Sequence, residues 1–206
     1  GGNQNGAKRI RDFGIVPGRV KTGERNTITD VPGIRVGHCT VKTEENHTGV
    51  TVIVPGPDNA FAKHYTAAAY IHNGFGKSAG VVQVEELGTL ETPIALTNTL
   101  NVGKVLDAMV EIVIEQCRKD GIEPQSINPV VGECNDCRIN HIQKRAIGEK
   151  EVREAFALAS EEFEEGDVGA GAGTTCYGMK GGIGSASRVI TIGEKEYTIG
   201  VLVQSN

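Results

Sequence analysis

A glycine-rich stretch near the carboxyl end constrains the fold of this chain more than any other segment. Residues 169–184 read Gly-Ala-Gly-Ala-Gly-Thr-Thr-Cys-Tyr-Gly-Met-Lys-Gly-Gly-Ile-Gly, and 28 of the 206 residues are glycine, against a usual share of about 7%. Because these glycines are clustered and not periodic, they exclude a collagen-like helix and indicate tight turns or close backbone approach. Two interpretations stay open: the glycines let elements pack closely, or their N–H groups form a cradle for an anion or oxyanion.

Nucleotide and nucleic-acid binding are not expected. Lys180 is followed by glycine, so the stretch does not match the phosphate-binding P-loop. No strand-turn-helix unit of the dinucleotide type surrounds the glycines either. A net charge of −5, 4% aromatic residues and the absence of tryptophan argue against a basic or base-stacking surface for nucleic acids.

Composition predicts one globular domain without a membrane-spanning helix. No cofactor is expected. No apolar run approaches the roughly 20 residues of a membrane-spanning helix. Five cysteines without a signal-peptide pattern indicate reduced thiols and a cytoplasmic location. We expect a single domain over residues 1–206, with a polar N-terminal arm at 1–29 and the core at 30–206.

Apolar periodicity predicts alternating strands and helices, and therefore an α/β or α+β fold. Asp30 to Gly33 predicts a tight turn before the first strand, and a turn at 193–196 predicts a hairpin at the end of the chain. Strands are predicted at 34–41, 49–54, 79–84, 92–97, 128–132, 188–192 and 197–203, and helices at 102–119 and 149–163.

Polar residues beside these elements are the candidates for a site. Glu133 and Asp136 are predicted on a loop after a strand, where a carboxylate either is solvated or binds a substrate ammonium group. Asn98 and Asn101 precede the long helix, as caps or as the wall of a pocket. Asn206 follows an apolar strand, from which its amide could donate to a developing oxyanion.

Two further patterns are weaker. Cys134 and Cys137 form a C-x-x-C pair with His141 four residues on, which leaves a zinc or redox site open as an alternative. The five histidines form no H-x-x-x-H or H-E-x-x-H pair of the metal-binding type.

Five blocks in order resemble one known family over residues 8 to 206. They are Ile28-Thr-Asp-Val-Pro-Gly-Ile-Arg-Val-Gly-His38, Ala95-Leu-Thr-Asn-Thr-Leu-Asn-Val-Gly103, Pro129-Val-Val-Gly-Glu-Cys-Asn-Asp136, Gly171-Ala-Gly-Thr-Thr-Cys-Tyr-Gly-Met-Lys-Gly-Gly-Ile-Gly-Ser185 and Gly200-Val-Leu-Val-Gln-Ser-Asn206. Together they are similar to the α subunit of the L-aminopeptidase D-amidase/D-esterase family, which includes the β-peptidyl aminopeptidases.

This resemblance implies a self-processed enzyme with a four-layer α/β/β/α sandwich, like that of N-terminal-nucleophile hydrolases but with different connectivity. The family's precursor cuts itself before a serine, which becomes the first residue and nucleophile of a smaller β subunit. Members form tetramers of αβ units. By position, Glu133 resembles the residue that binds the substrate's amino group, and Asn206 resembles the oxyanion-stabilising asparagine. Asn135 stands where some members carry an aromatic residue that lines the site, and Cys137 where glycine is expected.

The implied reaction is hydrolysis of peptides, aminoacyl amides or esters from a free amino terminus. An N-terminal serine has its own base, an α-amine with a pKa near 8, and forms an acyl-enzyme. Two alternatives stay open. One is an acyltransferase of the related ornithine acetyltransferase type, and the other is a non-catalytic zinc- or small-ligand-binding module built on Cys134, Cys137 and His141.

Overall fold

The computed structural model describes residues 20–55, 65–66, 89–90, 93–124, 127, 129–134, 144–173, 175–176, 179–180 and 182–205. Short 3₁₀ turns cover Ile28–Asp30, Thr99–Asn101 and Gly169–Gly171. The helices are α1 (Val102–Lys119) and α2 (Glu149–Ala157). The strands are β1 (Arg35–Lys42), β2 (His47–Val54), β3 (Tyr65–Thr66), β4 (Thr89–Leu90), β5 (Ile94–Asn98), β6 (Val130–Cys134), β7 (Thr175–Cys176), β8 (Met179–Lys180), β9 (Gly182–Ile192) and β10 (Lys195–Ser205).

A four-stranded sheet with the order β1-β2-β5-β6 organises the described part of the chain. The first three strands pair antiparallel, and β6 lies parallel to β5 because α1 forms the crossover between them. The strands predicted at 34–41, 49–54, 92–97 and 128–132 are confirmed by β1, β2, β5 and β6. The strand predicted at 79–84 lies outside the described residues.

Both helices pack on one face of this sheet. Val105 and Met109 of α1, with Val152 and Ala155 of α2, are fully buried against Val52 and its neighbours. The stripe that predicted α1 from sequence is therefore the face that forms the core. α1 has the predicted bounds. It ends in a Schellman motif, in which the amide of Gly121 (φ +69°) donates to Arg118 and that of Ile122 to the carbonyl of Cys117, at 3.2 and 2.8 Å.

α2 is shorter than predicted. The sequence pattern extended it to residue 163, but the helix ends at Ala157. Three residues later, Ser160 exchanges two backbone hydrogen bonds with Val36 of β1, at 2.9 and 3.0 Å. This bridge pairs the chain with the edge strand β1. Helical periodicity in the sequence cannot predict a pairing between residues so far apart.

The glycine-rich segment begins on the opposite face of the sheet. His38 and Thr51 are cross-strand partners there, one residue along from the core pair Cys39 and Val50, and side chains alternate between the faces of a strand. The amides of Gly169 and Ala170 donate to the hydroxyls of Thr40 and Thr51 at 2.7 and 3.0 Å.

Close packing explains three described glycines of this segment, Gly169, Gly171 and Gly182, at which a β carbon would lie within 3.0 Å of other atoms. A β carbon on Gly169, whose φ is +53°, would overlap the His38 ring and the Thr51 hydroxyl. The amides of Gly171 and Ala172 donate to backbone carbonyls, so all four amides from 169 to 172 have protein acceptors. The prediction of an anion cradle is therefore wrong for these four residues, since no N–H among them is left to bind an anion.

The predicted terminal hairpin is confirmed but longer, with strands 182–192 and 195–205 joined by Gly193 and Glu194. The first strand of the hairpin was predicted to begin at residue 188, but Gly182 and Gly184 already lie in β9. One hairpin face is anchored to the segment before β1: the amide of Ile28 donates to the Ser185 hydroxyl at 2.8 Å, and the Ser187 hydroxyl donates to Asp30 at 2.5 Å. The predicted arm at 1–29 is described only from residue 20.

The other hairpin face carries three apolar side chains of β10 that the described residues leave about half exposed. Alternate side chains of β10, at Ile199, Val201 and Val203, are 47%, 47% and 55% exposed. Across the hairpin they face Arg188, Ala186 and Gly184. We call Ile199, Val201 and Val203 the apolar rib.

Acid is expected to destabilise the packing of the glycine segment through His38. The ring's Nδ1 contacts the Thr51 hydroxyl and its Nε2 contacts the carbonyl of Glu164, both at 2.8 Å. Burial lowers the pKa of His38, although the Glu164 carbonyl and carboxylate partly oppose the shift. Below about pH 6.5, the His38 ring therefore binds a proton in the unfolded chain. In the folded chain the ring stays neutral until a lower pH is reached.

The free energy of unfolding should therefore fall as the pH decreases below about 6.5 towards the lower folded pKa. Urea unfolding of the full-length protein between pH 7.5 and 5 checks this. The His38→Gln variant should lose part of the pH slope, and an unchanged slope in that variant would contradict the assignment.

None of the described helices is both long enough and apolar enough to cross a membrane.

Candidate active site

Polar side chains collect where the parallel strands β5 and β6 end. Their register pairs Thr97 with Glu133 and Asn98 with Cys134. The chain then passes from β5 through the 3₁₀ turn 99–101 into α1. Ligands of α/β sheets typically bind at the carboxyl ends of the strands, next to helix N-termini. We call this region, with Asn98, Thr99, Asn101 and Glu133, the carboxyl edge.

Glu133 lies in β6 and not on the loop that the sequence predicted. The ladder with β5 continues through Glu133 and Cys134, and strand ends are set by such partners. The Glu133 side chain is half-buried, and its Oε2 accepts a hydrogen bond of 2.6 Å from the Thr99 hydroxyl. The carboxylate is therefore mounted on a rigid strand and oriented by a neutral donor.

Asn98 links two strands and does not cap the helix. Its side chain is buried, and its Nδ2 donates to the Thr48 hydroxyl of β2 at 3.1 Å. It precedes the 3₁₀ turn without a side-chain capping bond. The capping interpretation is wrong here, because the amide is directed to a cross-sheet partner.

Asn101 stands at the N-cap position of α1 but makes no capping bond either. The side chain is fully buried, and neither Oδ1 nor Nδ2 has a hydrogen-bond partner in the described part of the chain. A buried unsatisfied amide group costs about 1–3 kcal/mol. Positions held at such a cost are characteristic of functional sites, which favours the pocket interpretation over capping.

Two cations border the turn before α1. Arg145, at φ +48°, donates from Nε to the carbonyl of Leu100 at 3.2 Å. Lys104 donates from Nζ to the carbonyl of Arg145 at 2.6 Å. The Arg145 side chain thus binds the turn 99–101 at Leu100, and Lys104 of α1 in turn binds the backbone of Arg145.

The described free thiols, Cys39 and Cys117, are buried. The Cys39 thiol donates to the Glu154 carboxylate at 3.3 Å. Burial, aided by the nearby negative charge, raises the pKa of Cys39 to about 12. This thiol stays protonated at neutral pH and cannot serve as a nucleophile.

Comparison with known families identifies the chain. The model of peptidase family S58 matches residues 26–206, which is most of the sequence. The chain belongs to peptidase family S58.

Known proteins agree with this assignment in sequence and in fold. The beta-peptidyl aminopeptidase BapA of Sphingosinicella xenopeptidilytica is 38% identical over 208 residues, covering 96% of this chain and 51% of BapA. The crystal structure of the PH0078 protein from Pyrococcus horikoshii OT3 matches with a TM-score of 0.85 at 43% identity, over 97% of this chain and 59% of that one.

A third similar protein indicates the fold class to which this chain is related. The L-aminopeptidase D-Ala-esterase/amidase of Ochrobactrum anthropi matches with a TM-score of 0.80 at 33% identity, over 96% of this chain and 57% of that one. It is described as a prototype of the serine aminopeptidases with a new variant of the Ntn hydrolase fold. The mixed α/β fold of this S58 chain therefore has Ntn-hydrolase-like neighbours. The chain spans about half the length of the curated relatives it matches.

Several candidate residues lie outside the described residues. They are Asn206 and Asn135 of the predicted aminopeptidase site, the loop carboxylate Asp136, and Cys137 and His141 of the zinc alternative. Cys134 is described only as part of the β6 backbone. Within the described residues, no group of three or more His, Cys, Asp or Glu side chains is placed to hold a metal ion.

Sequence reasoning missed Thr99. Thr99 lies between the predicted strand at 92–97 and the predicted helix at 102–119, and only Asn98 and Asn101 of this connection were named as candidates. The signal that could have found it is the spacing, since Thr99 follows the register partner of Glu133 by two residues. Using that signal requires knowing that β5 and β6 are adjacent and parallel.

Proposed function

We propose that this chain is the larger, α subunit of a self-processing serine aminopeptidase or amidase. Its membership of peptidase family S58 over residues 26–206 is the observation that carries the proposal. The relatives named aminopeptidases extend well beyond the matched region, which leaves room for a second subunit from the same precursor. That β subunit supplies an N-terminal serine as nucleophile.

Glu133 binds the free amino group of the substrate in this proposal. A carboxylate at the carboxyl edge accepts charge-assisted hydrogen bonds from an ammonium group. An acylated amino terminus has no positive charge to pair with the half-buried carboxylate, so it binds poorly. The preference for a free amine makes the enzyme an aminopeptidase and not an endopeptidase.

Asn206 is proposed as the donor to the oxyanion. Attack by the serine on the scissile carbonyl creates an alkoxide, and one side-chain amide donor is typically worth about 10²–10³ in rate. The serine's own α-amine takes up the hydroxyl proton and returns it to the leaving amine. Asn98, Asn101 and Asn135 are proposed to line the substrate pocket, and the unsatisfied amide of buried Asn101 supports its inclusion.

The β subunit packs on the apolar rib, and the two subunits together form the four-layer α/β/β/α sandwich of a single domain. Three alternate apolar side chains, 47–55% exposed on a long strand, resemble a sheet core awaiting its second layer. A second polypeptide from the precursor is the natural occupant, because the relatives are about twice as long as the matched region. We further propose that the αβ units assemble into a tetramer.

The alternatives are less well supported. An ornithine-acetyltransferase-like enzyme shares the self-cleavage chemistry, but the named relatives are peptidases. The side chains of Cys134, Cys137 and His141, on which a zinc module would depend, lie outside the described residues. Assays for acetyl transfer and aminoacyl amide hydrolysis on one preparation distinguish the two enzyme classes.

Expression of the full-length gene product should yield two polypeptides. Intact-mass spectrometry and N-terminal sequencing are expected to find a smaller fragment that begins with serine. Replacing that serine by alanine should leave one uncut chain without hydrolase activity. A wild-type product that remains a single chain and yet hydrolyses aminoacyl amides would contradict the proposal.

A further inference from the structure

We propose that Thr99 is a positioning residue that orients the Glu133 carboxylate for the substrate's ammonium group. The inference rests on the proposed role of Glu133 and extends it to a residue with no assigned role. It starts from one contact, the 2.6 Å hydrogen bond from the Thr99 Oγ1 to the Glu133 Oε2.

The fold builds this contact in two steps. Thr97 and Glu133 are register partners in the parallel pair of β5 and β6, so their side chains leave the same face of the sheet. The 3₁₀ turn 99–101 then follows directly, which carries Thr99 past the end of β5 next to the carboxylate. The turn itself is held from below by the bond between Arg145 and the Leu100 carbonyl.

The length of the contact indicates a strong bond. Hydroxyl-to-carboxylate bonds of about 2.5–2.7 Å belong to the charge-assisted class. An ionised carboxylate only accepts hydrogen bonds, so Thr99 must be the donor. Thr99 is β-branched, which restricts its own rotamers, and its hydroxyl therefore acts as a fixed reference point for the longer glutamate side chain.

A neutral donor suits an ammonium site better than a cation would. An arginine or lysine in the place of Thr99 would orient the carboxylate but also neutralise it. The threonine hydroxyl holds one oxygen and leaves the full negative charge on the group. Glu133 has further interactions as well, so Thr99 contributes to its orientation and does not create the site.

A purely structural role for this bond makes a different prediction. If the contact only fastened the turn to β6, its loss would lower stability and affect all substrates alike. If it positions the carboxylate, its loss weakens the binding of the free amine in particular. Uniform loss of binding raises KM with kcat nearly unchanged.

The test compares Thr99→Val, which removes the hydroxyl at nearly constant shape, with Thr99→Ser, which keeps it. The matched control is Thr29→Val, because the buried Thr29 hydroxyl makes a bond of similar length, 2.7 Å to the Glu161 carbonyl. Each variant is made in the full-length, processed protein. Kinetics are measured with an aminoacyl anilide and with the corresponding acyl anilide that lacks the amino group.

We expect Thr99→Val to raise KM for the aminoacyl anilide by about 10-fold, with kcat within about threefold of wild type. Thr99→Ser should stay within about threefold of wild type in both constants, and Thr29→Val should leave KM unchanged. Turnover of the amine-free analogue should not respond to Thr99→Val. If the valine variant fails to fold, Thr99→Ala provides the same comparison with a smaller side chain.

An unchanged KM in Thr99→Val, an equal loss for the amine-free analogue, or a serine variant that behaves like valine would each overturn the inference. Glu133→Gln separates this failure from that of the proposed function. If Glu133→Gln abolishes the preference for a free amine while Thr99→Val keeps it, only the role of Thr99 is wrong. If Glu133→Gln keeps the preference too, the ammonium site itself is wrong.

Discussion

The Glu133→Gln substitution in the full-length enzyme should lower kcat/KM for substrates with a free amino terminus by about 10²–10³-fold. Glutamine keeps the shape of the side chain and an oxygen that can accept the 2.6 Å bond from Thr99, so the carboxyl edge should stay intact. What it removes is the negative charge that, in the proposed function, pairs with the substrate's ammonium group. Truncating one partner of such a pair typically costs about 2–5 kcal/mol, or roughly 30- to 4,000-fold, and the expected loss lies in the middle of this span.

The measurement is steady-state hydrolysis of an aminoacyl anilide by the processed enzyme. Glu111→Gln serves as control, because Glu111 is an exposed residue of α1 and its loss removes the same charge from the protein. A drop of less than about threefold in Glu133→Gln, or an equal drop for an amine-free ester, would exclude Glu133 as the ammonium ligand.

Gly169→Ala is expected to destabilise the protein by about 2–4 kcal/mol. The left-handed backbone at φ +53° disfavours any L side chain by roughly 1–2 kcal/mol. The added methyl group also meets the His38 ring and the Thr51 hydroxyl, and such overpacking costs about 1–3 kcal/mol. Both partners are fixed by their own hydrogen bonds, so they cannot easily move aside.

Urea unfolding of the full-length protein checks this prediction. Gly103→Ala is the matched control, because a β carbon at Gly103 in α1 meets nothing within 4 Å. Helix propensity predicts that this control is neutral or stabilising, by up to about 1 kcal/mol. Equal destabilisation by the two variants would mean that the Gly169 packing contributes nothing specific.

The periodicity of apolar residues predicted correctly those helices and strands whose ends are set by residues nearby in the sequence. α1 has its predicted bounds because its apolar stripe and the Gly121 end signal are both local. The strands of the main sheet were predicted for the same reason. Where a partner distant in sequence sets an element's end, the prediction failed: α2 stops early because Ser160 pairs with Val36, and β9 begins early because Gly182 pairs with Ser205.

The candidate site shows the same division. Glu133 was identified as a site residue by resemblance, but its position inside β6 depends on pairing with Thr97. Asparagine is a common N-cap residue, and only the structure shows that Asn98 and Asn101 make no side-chain capping bond. Thr99 could not be recognised without the parallel neighbour strand, because its proposed role rests on a contact with a residue 34 positions away.

The apolar rib has a consequence for biosynthesis. Ile199, Val201 and Val203 lie on one strand of a hairpin and remain about half exposed, and exposed apolar strands promote sheet-to-sheet aggregation. If the proposed α and β subunits were made from separate genes, the α subunit would expose the apolar rib until a β subunit bound to it. If the proposed β subunit covers the rib, translation of both subunits as one precursor would keep the covering segment tethered at high effective concentration. The rib would then be buried before the precursor is cut.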